Sequence, residues 1–223
     1  PPTPKEADIL DGLSRAGNRL MGFCRTNLFK RLESGGPAFI QSIERHALRN
    51  FIVLHALDTD CDIPLGTQDA VLLDARTIDE DADSEKTLSF DEGEYDDNDS
   101  DSGAEITDLW TEAAFRQRAK RVYDFYRTQK KSRFKWIAAS RFHPSLSEAL
   151  LRDASELIGI LTECGEWDPA KDAKLAALLA LLTKTHASEK VLIFTQFADT
   201  ARYLGEQLAR RHIKAAAVAT GDC

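Results

Sequence analysis

The stretch that decides the fold is Lys190-Val-Leu-Ile-Phe-Thr-Gln-Phe197. Residues 191–194 form a continuous apolar run of strand length, β-branched at Val191 and Ile193. Such a run suits a strand covered on both faces, as in a parallel sheet. Upstream, Asp168-Pro169 places an N-cap before a proline and predicts a helix over 169–186. Downstream, residues 198–211 read as a helix, and a second apolar run over 214–219 ends in Thr220-Gly-Asp222. Two strands joined by a helix make a right-handed βαβ unit. The part from 166 to 223 is therefore expected to be α/β.

What precedes it reads as mostly helical. Residues 6–33 predict a helix, weakened by Gly12, Gly17 and Gly22. Ser34-Gly-Gly-Pro37 is a break, with glycine to end one helix and Pro37 to start the next. Residues 38–57 carry Phe39, Ile43, Ala47, Phe51 and Leu54 at the spacing of one helical face. A helix hairpin followed by irregular chain over 58–73 is the expectation for residues 1–73. Thr107 is the expected N-cap of a basic helix running to about 133, with Phe115, Val122, Phe125 and Tyr126 as its apolar contacts. Pro144-Ser145 opens a further helix, with Leu146, Leu150, Ala154, Leu157, Ile158 and Leu161 toward a core, and Gly165 ends it. The fold class is thus mainly α over 1–165, with a C-terminal α/β portion.

The charge is unevenly distributed. The 223 residues carry a net charge of −8. Residues 74–108 hold fifteen acids against Arg76 and Lys86, so the rest of the chain is net positive by 5. An acidic overall balance set by one segment does not exclude nucleic acid. Residues 74–106 have too few large apolar groups to offset ordering entropy, which predicts a disordered acidic loop. That loop has three readings: a solvated linker or loop insertion, a segment that folds back on the basic run and competes with DNA, or a calcium site. Asp58, Asp60 and Asp62 match the opening of an EF-hand loop, but Ile63 replaces the required glycine and Asp69 the closing glutamate.

Ten bases lie between Arg116 and Arg141, against Asp124 alone. Arg116, Arg118, Lys120, Arg121, Arg127, Lys130, Lys131, Arg133 and Lys135 are the candidate phosphate contacts. Tyr123, Tyr126, Phe134 and Trp136 are interleaved with them, and could stack on bases or simply belong to the core. The competing reading is a solvated helix face.

Cys24, Cys61, Cys164 and Cys223 are scattered, without a CxxC pair, and read as reduced thiols of a cytoplasmic protein. The histidines lack HxxxH or HExxH spacing, so no metal is expected. No run is long enough to span a membrane. The chain starts Pro1-Pro2 without an initiator methionine and reads as a piece of a longer protein.

Two segments resemble the SWI/SNF-type superfamily 2 helicases. Lys190-Val-Leu-Ile-Phe-Thr-Gln-Phe197, with Asp172-Ala-Lys-Leu175 before it, is similar to that family's motif IV region. Arg25-Thr-Asn-Leu-Phe-Lys-Arg-Leu-Glu-Ser34, Ala38-Phe39 and Ile43-Glu-Arg-His46 are similar to the helical insertion that precedes the second RecA-like lobe in bacterial members. The resemblance implies a helical insertion over 1–165 and the opening of RecA-like lobe two over 166–223. It implies ATP and Mg²⁺ in the parent protein, with duplex DNA and the remaining lobes as partners. Thr195, Gln196, Thr220 and Gly221 would then contact the DNA backbone. The departures matter. The chain has no GxxxxGK[ST] loop and no Asp-Glu pair in a DEAH-like context to hold Mg²⁺, so it should not hydrolyse ATP alone. The alternative is a helical protein-interaction module with an acidic regulatory loop.

Overall fold

Thr3 starts the fold with a capping box. Its hydroxyl accepts from Glu6 N at 3.3 Å, and its own backbone N–H donates to Glu6 Oε2 at 2.7 Å. These bonds, aided by Arg141, hold the Glu6 carboxyl below its usual range. The computed structural model describes residues 3–66, 110–213 and 217–220. Helix α1 (Pro4–Ser34) leads through Gly35 into α2 (Gly36–Asp58), with Pro37 in the first turn of α2. The two predicted helices are therefore present, and the break between them falls at the predicted glycines.

Helix α2 is the spine. Its expected apolar face supplies Ile43, Ala47, Phe51 and Leu54, but Leu48, Ile52 and Ala56 are equally buried. One predicted face became more because α2 is packed against α1, α3 (Glu112–Gln129) and α4 (Ser145–Cys164). Helix α3 starts at N-cap Thr111, whose hydroxyl accepts from Ala114 N at 3.2 Å. The expected cap, Thr107, lies outside the described residues, as do the acidic loop and its calcium reading beyond Gly66. Phe115, Ala119, Tyr123 and Tyr126 line the buried side of α3, and Phe115 stacks on Phe51 with centroids 5.6 Å apart. Gly165, at φ 60, ends α4 as predicted, and its N–H donates to Leu161 O at 3.0 Å.

A two-stranded antiparallel sheet lies where irregular chain was expected. Strand β1 (Asp62–Leu65) pairs with β2 (Lys135–Ala138), in register from Asp62 opposite Ala138 to Leu65 opposite Lys135. Four residues per strand, one of them Pro64, give too short a pattern to read as a strand.

The C-terminal part departs from expectation in two ways. The helix expected over 169–186 is broken into a 3₁₀ turn (Pro169–Lys171), α5 (Ala173–Ala180) and a π turn (Leu181–Thr185). The cause of the first break is Asp172, whose carboxylate accepts from Leu175 N at 3.0 Å and caps a fresh helix. Residues 191–194 form no strand: Leu192 is 81% and Phe194 90% exposed. An interior parallel strand is stable only between hydrogen-bonded neighbours, and no neighbouring strand stands beside it among the described residues. Of the second expected strand, 214–216 lie outside the described residues and 217–220 carry no regular structure. Helix α6 (Ala198–Arg210) lies where predicted. The described chain is mainly helical with a small antiparallel sheet, and no helix in it is long and apolar enough to cross a membrane.

Burial also lowers His46 on α2 to a pKa of about 4, with Arg49 pushing the same way. A histidine held neutral stabilises the fold above its unfolded pKa near 6.5, and that stability is lost as pH falls from about 6.5 toward 4. Urea unfolding at pH 7 and pH 4.5 should show His46→Gln removing on the order of 2 kcal/mol of the wild-type pH dependence. Identical pH dependences in the two proteins would refute this.

Candidate nucleic-acid interface

The predicted phosphate contacts divide into two groups. Arg116 and Arg118 flank Phe115 and are used internally. Arg116 bonds Asp58 at 2.9 Å and Glu112 at 2.7 Å, and Arg118 bonds Glu44 at 2.5 Å. Glu44 and Asp58 lie on either side of Phe51 on α2, so the arginines brace the crossing of the two helices. The Glu112 and Asp58 bonds also raise the pKa of Arg116. These two guanidiniums brace α3 on α2 instead of standing open to a ligand.

The second group faces outward. Lys120, Arg121, Arg127, Lys131, Arg133 and Lys135 are exposed and Lys130 is half-buried. Lys120, Arg121, Arg127, Lys130, Lys131 and Lys135 form no ion pair among the described residues. The buried side of α3 leaves Lys120, Asp124 and Arg127 on the opposite face, at helical spacing. Lys120 and Arg127 are about 10 Å apart along the axis at 1.5 Å per residue. The strip continues through the 3₁₀ turn Lys131–Arg133 to Lys135 at the start of β2. Asp124 is its one acidic interruption.

Aromatic side chains form the floor of the strip. Tyr126 packs on Phe134 at 4.5 Å, Tyr123 meets Trp136 edge-on at 5.9 Å, and Phe134 meets Trp136 at 6.1 Å. Trp136 Nε1 donates to Lys131 O at 2.8 Å, which fixes the turn carrying the lysines. Tyr123 donates its hydroxyl to Asp62 O at 2.7 Å, and burial pushes its pKa up to about 12. Tyr123, Tyr126 and Phe134 are buried, so these rings belong to the core and not to a surface that stacks on bases. The strip is a row of exposed cations on a packed base, suited to phosphate oxygens.

Thr195 and Gln196 are exposed just before α6. Thr195 Oγ1 accepts from Phe197 N at 3.4 Å, a local turn. Neither residue bonds to the basic strip. Thr220 is half-buried, and Gly221 lies outside the described residues.

Sequence reasoning passed over one cluster. Asp199, in the first turn of α6, is buried with Arg31 of α1 and Arg45 of α2. Its Oδ2 accepts from Arg31 at 2.8 Å and from Arg45 at 3.3 Å. The Arg31 guanidinium also lies 4.5 Å from the centre of the Phe197 ring, and the Ser34 and Thr200 hydroxyls are 2.7 Å apart. No local signal marked it, since Arg45 stands between Glu44 and His46 in a stretch of mixed polarity. The cluster joins the two segments on which the helicase resemblance rests. Among the described residues no group of side chains is arranged to hold a metal ion. Compared with protein-family models, curated proteins and solved structures, the chain has no match in any of the three.

Proposed function

We propose that this chain is a duplex-DNA-binding segment of a SWI/SNF-type ATP-dependent helicase or translocase. In this reading residues 1–165 are the helical insertion. Residues 166–223 open a RecA-like lobe, in whose parallel sheet 191–194 would pair as a strand. ATP and Mg²⁺ would be held by other segments of the parent protein. The observation that carries the DNA-binding part is the outward row of Lys120, Arg121, Arg127, Lys130, Lys131 and Lys135, which form no ion pair among the described residues and stand on elements held by packed aromatic rings. Supporting the family part is the contact of Arg31 with the Phe197 ring, which links the two resembling segments, with Asp199 bonded to Arg31 and Arg45 just beyond.

Such a strip neutralises phosphates without reading sequence. Lysine acylation followed by mass spectrometry, with and without a duplex, tests it. Lys120, Lys131 and Lys135 should be protected by duplexes of unrelated sequence, while Lys171 and Lys190 react unchanged. Equal reactivity of all five with and without DNA would defeat the proposal. A second reading, a protein-interaction module, is favoured by Phe29 and Leu32, which stand 54% and 50% exposed one helical turn apart on α1.

A further inference from the structure

The hydrophobic core is built from α2, α3, α4, β1 and their connections, and its buried members end at Leu161. Residues 166–213 are attached to that core by different chemistry. Arg31 and Arg45 reach Asp199, Ser34 meets Thr200, and Lys174 Nζ donates to Glu33 O. The Trp167 ring lies so close to Gly36 that a Cβ there would collide with it. Between these contacts runs a cleft of about 330 Å³, lined by Ala38, Leu175, Ile193 and Tyr203 among others. Apolar burial along the seam is confined to a few side chains, among them Ala38, Leu175 and Phe197, which stand outside the main core. A seam with open space along it lacks the close packing that makes a core cooperative.

The attached part has its own internal bonds. Trp167 Nε1 donates to the Tyr203 hydroxyl at 3.0 Å, and that hydroxyl donates to Asp172 Oδ2 at 2.9 Å. Asp172 in turn caps α5, so one chain of hydrogen bonds ties the segment before α5 to α6. These bonds lie wholly on one side of the seam.

We infer that the seam is a joint. The part from 166 to 213 undocks from the helical body as a unit, and Asp199 is the latch that holds it shut. One carboxylate is shared by two buried guanidiniums, so removing its charge weakens a bond to both at once. The latch releases in one step, as bistable packed elements do. The inference is independent of whether the basic strip binds DNA.

Hydrogen exchange with mass spectrometry on the full chain tests it, comparing wild type with Asp199→Asn. Amides of α5 and α6 should exchange at least tenfold faster in the variant, while those of α2 and α4 keep their wild-type rates. Equal acceleration in α2 and α4 would show one cooperative unit and overturn the joint. Unchanged rates in α6 would overturn the latch. Should Asp199→Asn fail to fold, Thr200→Ala gives a milder version: severalfold acceleration confined to α5 and α6 supports the joint, and none or a global one refutes it.

Discussion

Reversing three charges of the strip, with Lys120→Glu, Arg127→Glu and Lys131→Glu together, should weaken duplex binding at least 100-fold at moderate salt. Each base lost removes one phosphate contact, and each contact contributes about −0.9 to the slope of log affinity against log salt. The slope should therefore fall by roughly 3, and repulsion from the new carboxylates adds to the loss. Fluorescence anisotropy of a labelled duplex measures both. The helices should be unaffected, because none of the three side chains is buried or ion-paired among the described residues. Circular dichroism checks that point. Arg118→Ala is the matched control. It breaks the partly exposed pair with Glu44, worth about 0.2–1 kcal/mol, and should leave the salt slope unchanged. Equal loss of DNA affinity in Arg118→Ala and the triple variant would place the binding surface elsewhere.

The second large effect is on stability. Phe115→Ala should cost about 3–5 kcal/mol, because the ring is fully buried where α3 crosses α2 and stacks on Phe51. That is a large part of the 5–15 kcal/mol typical of a domain. Phe51→Ala should cost a similar amount. The double variant should cost less than the sum by about 1 kcal/mol, the coupling of a stacked aromatic pair. Urea unfolding of the four proteins gives the cycle. A Phe115→Ala loss below 1 kcal/mol would mean that the crossing does not hold the helical body together.

The parts of the fold legible in the sequence are those with local causes. The turn at Ser34-Gly-Gly-Pro37 and the stop at Gly165 each follow from residues within a helical turn of the boundary. Residues 191–194 show where this fails. An apolar run specifies burial, but strand formation depends on partners that pattern alone does not supply, and here Leu192 and Phe194 face outward. The pairing of 62–65 with 135–138 was illegible for the opposite reason, since distant residues hold each other in place with almost no local pattern.

The candidate site divides in the same way. Charge density marked the run from Arg116 to Arg141, and helical spacing could place Lys120 and Arg127 on one face. That Arg116 and Arg118 brace the crossing is set by Asp58 and Glu44, far away in the chain. The aromatics were open to two readings, and only their contacts with one another assign them to the floor. Asp199 needed two distant arginines to acquire a meaning.

The central claim is that an outward row of bases on α3 and the turn after it binds duplex DNA through its phosphates. The salt dependence of wild-type binding to two unrelated duplexes tests this most directly. The account predicts equal affinity for both and a loss of about 10³ between 50 and 200 mM salt, as for roughly six phosphate contacts. Binding that is flat with salt, or absent at 50 mM, would contradict it.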